Sequence, residues 1–156
     1  MASEKYLIFE VCGRKFSLEF SGIKIITAGE NPQTIPDFPE YVLGTVVNDG
    51  KIVPVIDLRR RFHYDAKELT DRDCFIITNS ETPVALVADS IDGFCEIEKE
   101  NIQPAPNLNS DASAVFLKGE FLDGEDTCYV LDAEKVIKTE DSDIFSTIEA
   151  MNENNE

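Results

Sequence analysis

Short runs in which apolar and polar residues alternate recur along the chain and dominate its pattern. They are rich in Val, Ile, Phe and Tyr, and turn-forming residues separate them, which is typical of half-buried β-strands. The predicted strands span residues 6–12, 15–20, 23–27, 45–47, 51–58, 74–78, 83–88, 94–97, 115–121 and 127–131. Ten short strands in 156 residues predict an all-β fold with short helices, built as barrels or as a sandwich.

Asp-Gly pairs mark three turns within this pattern. Asp and Gly both tolerate the positive φ angles that a tight β-hairpin requires, so we expect a hairpin at each pair. The pairs are Asp49-Gly50, Asp92-Gly93 and Asp123-Gly124.

Pro54 lies inside one of the predicted strands, at residues 51–58. Because proline cannot donate a hydrogen bond to a neighbouring strand, this strand is predicted to lie at a sheet edge or to contain a bulge. An edge strand offers unpaired backbone groups to a binding partner. The alternative is a protected barrel rim that binds nothing.

Helical signals are few and short. One helix is predicted to begin at Pro39 and to end before Gly44, since proline fits the first position of a helix. A second helix is predicted over residues 57–62. A third is predicted over residues 132–137, where Asp132 stands in the N-cap position.

The C-terminal region is predicted to contain an amphipathic helix over residues 139–151. Residues 152–156 are predicted to form a disordered acidic tail, and residues 104–114 a mobile connection. The expected cap of the helix is Ser142, and its expected apolar face carries Ile144, Ile148 and Met151.

Acidic residues outnumber basic ones by 31 to 14, which gives a net charge of −17 at pH 7. Nucleic-acid binding needs a basic surface, and anionic membranes attract polybasic segments, so neither is expected of this chain. We find no apolar run of the roughly 18 residues that a spanning helix needs and no signal-peptide pattern at the start. These observations predict a cytoplasmic protein.

Four cysteines, Cys12, Cys74, Cys95 and Cys128, are spread along the chain without a C-x-x-C pair. A chain of this length can build an adequate core without disulfides, so we interpret the cysteines as small buried hydrophobic residues. A disulfide framework is the alternative, and a small enzyme or redox protein that uses one of these thiols is a further hypothesis.

The sequence contains no recognisable catalytic or metal-binding motif. His63, the only histidine, follows three arginines and is interpreted as a surface residue. The acidic segment 123–126 lacks the alternating oxygen ligands of a calcium loop, and the eight glycines form no phosphate-binding loop. The sequence therefore predicts no catalytic residue, no metal site and no cofactor.

The arginine triplet 59–61 is the one basic cluster on this acidic chain. In one interpretation the three cations offset a helix C-terminus and neighbouring acids. In the other they form a docking point for an acidic patch of a partner.

The segment from Gly44 to Arg59, which reads GTVVNDGKIVPVIDLR, resembles the central signature of CheW-like domains, the coupling proteins of bacterial chemotaxis arrays. Further segments resemble the family in the same order along the chain, so the resemblance covers about residues 6–138. The similar segments are 6–9 with 16–18, 39–44, 86–93 with 102–106, and 130–137.

This resemblance implies a CheW-like domain over residues 1–138. Its implied fold is two intertwined five-stranded β-barrels, SH3-like or OB-like lobes that share a core. Its implied function is that of a non-catalytic signalling adaptor between a CheA-like histidine kinase and the cytoplasmic tip of methyl-accepting chemoreceptors. We expect a monomer that acts through protein–protein contacts alone.

Four positions correspond to contact sites of the family. Gly44 matches a glycine associated with partner contact, and Ile23 aligns with an aliphatic position beside the receptor-binding groove. Asp49 stands where the family usually has Arg, and Ile25 stands where many members have Glu. Charge reversal at an exposed contact replaces attraction with repulsion. Two hypotheses therefore stay open: a chemotaxis adaptor with a compensating partner, or a divergent scaffold in a non-motility or alternative-receptor pathway.

Overall fold

The computed structural model describes residues 3–80, 82–104, 115–136 and 143–154. Within them lie ten strands, which confirms the predicted number and order. The strands are β1 (Ser3–Val11), β2 (Arg14–Glu19), β3 (Ile23–Ala28), β4 (Val42–Asn48), β5 (Lys51–Asp57), β6 (Cys74–Thr78), β7 (Ala85–Ala88), β8 (Ser90–Glu98), β9 (Leu117–Asp123) and β10 (Asp126–Leu131). The helices are α1 (Leu58–Arg61) and α2 (Asp143–Asn154), and short 3-10 turns span Phe20–Gly22, Lys99–Asn101 and Ala133–Lys135.

The strands form two five-stranded sheets, which confirms the expected two-lobed, all-β fold. The first lobe has the strand order β8-β1-β2-β10-β9, and the second has the order β3-β6-β7-β5-β4. The chain therefore starts in the first lobe, builds the whole of the second, and returns to complete the first.

Each sheet closes on itself through one bridge between backbone groups. In the second lobe Gln33 and Thr45 exchange two hydrogen bonds of 2.7 and 2.8 Å, which joins the segment after β3 to β4. In the first lobe Gln103 and Glu120 exchange bonds of 2.8 and 3.1 Å, which joins the segment after β8 to β9. The outer strands of both sheets are thus partly covered, as in small barrels.

The core has one shared part between the lobes and one smaller part inside each lobe. Alternation along β1 explains the division, since successive side chains of a strand point to opposite faces. Tyr6 and Ile8 belong to the interior of the first lobe, whereas Leu7 and Phe9 belong to the shared core. Both faces of β1 are buried, and its sequence is accordingly apolar over these four residues. Complete burial of each large apolar side chain contributes roughly 1.5–3 kcal/mol.

Two of the three Asp-Gly turns are confirmed. Asp49 and Gly50 have φ angles of 54° and 75° in the tight β4–β5 hairpin, and Gly124 has φ 65° between β9 and β10. The hairpin predicted at Asp92-Gly93 is wrong, because both residues lie inside β8. Asp92 is the extra residue of a bulge there, since Gly93 pairs with Ile8 and Ile91 pairs with Phe9. Pairing with the whole of β1 overrides the local turn preference.

The helix predicted from Pro39 is also wrong. A single turn is present, in which the Val42 N–H donates to the Pro39 carbonyl at 2.9 Å, and β4 begins at Val42. The Tyr41 carbonyl already accepts the Asp57 N–H at 2.8 Å. Pairing with the end of β5 therefore leaves no room for a second helical turn.

Of the two positions predicted for the strand that contains Pro54, the sheet edge is wrong, because β5 lies between β7 and β4. An irregularity is present in its pairing with β4, where Leu43 is the extra residue between Val42 and Gly44. Thr45, which lies opposite Pro54, uses its N–H and C=O on Gln33 instead. On the other side of β5, the pairing with β7 begins only at Val55. The missing N–H of Pro54 therefore interrupts neither ladder.

The other helix predictions have mixed outcomes. Asp57 caps α1 by accepting the Arg59 N–H at 3.0 Å, and Asp132 caps the last 3-10 turn by accepting the Glu134 N–H at 3.1 Å. The C-terminal helix extends to Asn154, so residues 152–154 are not a disordered tail. Residues 105–114 of the predicted connection and the predicted cap Ser142 lie outside the described residues.

Candidate functional site

The tip of the β4–β5 hairpin carries an exposed ion pair. The Lys24 ammonium lies 3.0 Å from a carboxylate oxygen of Asp49, and their side chains are 38% and 76% exposed. The hydrogen bond from Lys24 is the main reason why the pKa of Asp49 is lowered. Asp49 therefore meets a cation of its own chain, on strand β3.

Two exposed apolar side chains lie close in sequence to the two partners of this ion pair. Ile25 follows Lys24 on β3 and is 44% exposed, and Val47 lies two residues before Asp49 and is 68% exposed. The ion pair brings together the two segments that carry them. We call these four residues the hairpin surface, and it contains two of the predicted site residues, Ile25 and Asp49.

The predicted site residue Gly44 is not part of this surface, because it is buried inside the second lobe. A Cβ atom on Gly44 would lie 2.3 Å from the Gln33 carbonyl oxygen, and its φ of 148° is unfavourable for other residues. Gly44 thus permits the close backbone approach that closes the second sheet.

The fourth predicted residue, Ile23, is half-buried and packs against the shared core. It directly follows Gly22, which borders a groove of about 500 Å³. Side chains of both lobes line the groove, among them Leu18, Lys118 and Leu131 of the first lobe and Thr78 of the second. Ile23 itself does not line this groove, and its expected place beside a receptor-binding groove stays a prediction.

An aromatic pair at the rim of the shared core was missed in the sequence. The rings of Phe20 and Phe94 meet edge to face with centroids 5.3 Å apart, and the side chains are 48% and 47% exposed. The Lys5 ammonium lies 5.1 and 5.3 Å from the two centroids. Phe94 pairs with Leu7, a member of the shared core. We call Lys5, Phe20 and Phe94 the aromatic patch.

No local pattern in the sequence distinguishes these two exposed phenylalanines from the buried ones of the core. Phe20 and Phe94 lie 74 positions apart, and only the pairing of β8 with β1 brings them together. Exposed aromatic side chains beside a cation are typical of protein contact surfaces.

The three arginines of the triplet bind inside the chain, which favours the first of their two interpretations. Arg60 lies 2.8 Å from Glu40 and 3.2 Å from Asp57, and both contacts join nitrogen to carboxylate oxygen. Arg61 is buried, donates to the Val136 carbonyl, and stacks with the rings of Tyr41 and Phe116 at 4.9 and 4.3 Å.

Arg59, the first arginine, binds Asp89 at the junction of the lobes. Two guanidinium nitrogens donate to the carboxylate at 2.5 and 3.2 Å, and the Cys12 N–H donates to it at 2.7 Å. Burial raises the pKa of Asp89, but Arg59 and the Cys12 N–H lower it more, so that the net shift is downward.

The four cysteine thiols are free. Burial raises the pKa of Cys128 to about 12, and it also raises the pKa values of Cys74 and Cys95. Since the thiolate is the reactive form, these shifts argue against a reactive role for these three cysteines. His63 is exposed, as predicted.

Two negative findings about the described residues concern metal sites and membrane-spanning helices. No three His, Cys, Asp or Glu side chains of that part of the chain are grouped so that they could hold a metal ion. None of its helices has the length and apolar character needed to cross a membrane.

Two closed five-stranded sheets around one shared core, with exposed apolar and charged contact surfaces, define an all-β interaction domain. Residues 5–141 match the family model of the CheW-like domain, and the chain therefore belongs to the CheW family.

Individual relatives agree with this assignment. The chain is 23% identical to the chemotaxis protein CheW of Klebsiella aerogenes over 93% of this chain and 88% of that protein. It is 28% identical to the chemotaxis protein CheW of Bacillus subtilis over 66% and 67% of the two chains. The crystal structure of the scaffolding protein TtCheW from Thermoanaerobacter tengcongensis superposes with a TM-score of 0.81 at 20% identity, over 90% of this chain and 92% of that one. The last comparison shows a common fold.

Proposed function

We propose that this protein is a non-catalytic adaptor of bacterial chemotaxis, which couples the cytoplasmic tip of chemoreceptors to a CheA-like histidine kinase. The match of residues 5–141 to the CheW-like domain carries this proposal. The relatives from Klebsiella aerogenes and Bacillus subtilis are both named chemotaxis protein CheW, which supports it. The adaptor acts in the cytoplasm and needs no cofactor.

An adaptor needs separate surfaces for its two partners. We assign the hairpin surface of the second lobe to the regulatory domain of the kinase. The groove beside Ile23 and the aromatic patch are assigned to the helical tip of the receptor. Protein interfaces are enriched in apolar and aromatic side chains at the centre and have a polar rim, and both surfaces offer apolar or aromatic side chains beside charged ones.

The pairing of Asp49 with Lys24 weakens the argument that the reversed charge makes for a divergent scaffold in another pathway. Because Lys24 lies 3.0 Å from Asp49, the hairpin surface presents a matched pair of opposite charges. A partner therefore meets no isolated negative charge where the family has a positive one. The chain offers its own compensation for the reversal.

The shared core makes the two lobes a rigid unit. Leu7 and Phe9 of the first lobe and Ile56 of the second are fully buried in the same cluster, and close-packed interiors transmit displacement. A shift of the receptor against the groove would therefore move the hairpin surface together with the first lobe. Coupling of this kind requires that each receptor state favour a different kinase geometry.

Titration calorimetry tests the proposal with the regulatory domain of the CheA-like kinase and a receptor-tip fragment from the same organism. The wild-type chain is expected to bind both. Val47→Ser is expected to weaken kinase binding about tenfold, and Phe94→Ser to weaken receptor binding to a similar degree. Leu122→Ser is the matched control, because Leu122 is 70% exposed on β9 and belongs to neither surface. Failure of the wild-type chain to bind either partner would contradict the proposed function.

A further inference from the structure

Within the described part of the chain, the first half of β5 has no neighbouring strand on one side. β4 pairs with β5 from Lys51 to Ile56, whereas β7 pairs only with the last three residues, Val55 to Asp57. The first half of β5 thus presents backbone groups toward a place that no strand occupies. This half leads directly to the tip that carries Asp49.

The side chain of Asn152, in the last turn of α2, fills this place. Its amide oxygen accepts the Ile52 N–H at 2.7 Å, and its amide nitrogen donates to the Ile52 carbonyl at 3.4 Å. One side-chain amide therefore makes the two contacts that a residue of a neighbouring strand would make.

Among the described side chains of α2, residues 146–153, two face the shared core. Ile148 is buried in the shared core and Met151 packs against it, whereas Ser146, Thr147, Glu149, Ala150 and Glu153 are exposed. A cavity of about 220 Å³ remains between the helix and β5, bordered by Lys51, Ile52, Ile148 and Asn152. Because this cavity lies beside the Asn152 side chain, tight packing does not account for the hydrogen bonds between its amide and Ile52.

From this geometry, and resting on the proposed function, we infer that Asn152 is a positioning residue for the hairpin surface. It fixes the backbone of β5 three residues from Asp49. The helix does not cover the surface, since Asp49 and Val47 remain exposed. The helix contacts the backbone of β5 instead. A surface held in its binding geometry loses less conformational entropy on binding.

Hydrogen exchange and partner binding together test this inference on the full chain. Asn152→Ala is expected to speed exchange of the Ile52 amide about tenfold, because its acceptor is removed while the rest of the sheet stays intact. The same substitution is expected to weaken kinase binding about threefold to tenfold, with receptor binding unchanged. Asn152→Asp keeps the acceptor for the Ile52 N–H, and it should restore most of the protection and of the affinity.

Glu153→Gln is the matched control, because Glu153 borders the same cavity and is exposed. It should change neither the exchange of Ile52 nor the affinity. Unchanged exchange in Asn152→Ala would overturn the inference, and so would faster exchange with unchanged kinase affinity. If the wild-type chain binds no kinase at all, it is the proposed function that fails, and exchange alone then reports whether Asn152 restrains β5.

Discussion

Arg59 and Asp89 form a bidentate ion pair that joins the lobes, with nitrogen–oxygen distances of 2.5 and 3.2 Å. Arg59 belongs to α1 of the second lobe, and Asp89 lies between β7 and β8, where the chain returns to the first lobe. The same carboxylate accepts the Cys12 N–H from the β1–β2 turn. One carboxylate thus connects three segments of the chain.

Replacement of Asp89 by Ala is expected to lower the free energy of unfolding by about 2–3 kcal/mol, because it leaves the partly buried Arg59 guanidinium and the Cys12 N–H without their acceptor. Asp89→Asn keeps an acceptor for the N–H and should cost less. Chemical denaturation at neutral pH measures both. Asp126→Ala is a control at an exposed ion pair, with an expected change of less than about 1 kcal/mol.

The same pair predicts a dependence on acid. The folded pKa of Asp89 is lowered, whereas its unfolded value is about 3.9. The stabilisation is therefore present above pH about 4 and is lost as the pH falls through the folded pKa. The difference in unfolding free energy between wild type and Asp89→Asn should become smaller as the pH falls from about 5 to about 3. A difference that grows toward acid would contradict this assignment.

The strands were predictable because each carries its own local signals. Alternation and flanking turn residues are properties of five to ten neighbouring residues, and all ten strands followed from them. Two of the errors, at Pro39 and at Asp92-Gly93, have a common cause. Both segments favour a local turn, but their backbones pair with a strand that is distant in sequence. The segment after Pro39 pairs with the end of β5, and the segment at Asp92-Gly93 pairs with β1.

The candidate site was only half predictable for the same reason. Asp49 and Ile25 were identified by their resemblance to a family pattern, but Lys24 was not, because its role depends on the position of β3 beside the hairpin. The aromatic patch and Asn152 likewise depend on contacts between residues far apart in sequence. No pattern within a single segment reports such contacts.

Gly44→Ala is expected to destabilise the protein by about 2–4 kcal/mol, because the added Cβ meets the Gln33 carbonyl and the φ angle is unfavourable. Thermal and chemical denaturation measure the loss. Gly22→Ala is the control, since nothing lies within 4 Å of the position of its Cβ. Any loss of partner binding in Gly44→Ala should disappear after correction for the unfolded fraction; a binding defect in the fully folded variant would place Gly44 at the interface itself.

Cys128 predicts a loss of stability in alkali. Its folded pKa is raised to about 12 by burial, whereas a thiol in the unfolded chain titrates near about 8.5. The unfolded state therefore loses its proton first, and stability should fall as the pH rises from about 8.5 toward the folded pKa. Urea denaturation at about pH 8 and pH 10 measures the slope. Cys128→Ala should have a smaller slope at lower overall stability, and an unchanged slope would exclude Cys128 as its source.

The Lys24–Asp49 pair predicts how partner choice depends on charge. Asp49→Arg alone places two cations side by side on the hairpin surface, so affinity for the chain's own kinase should fall about tenfold. The double variant Lys24→Glu with Asp49→Arg restores an ion pair of opposite polarity, with Arg at the position where the family usually has it. This double variant should bind a kinase whose own coupling protein has that Arg more tightly than the wild-type chain does. Calorimetric titration of both kinases with the four proteins of the cycle gives the coupling energy between the two positions. A coupling energy near zero, with equal affinities for both kinases, would show that the tip lies outside the interface.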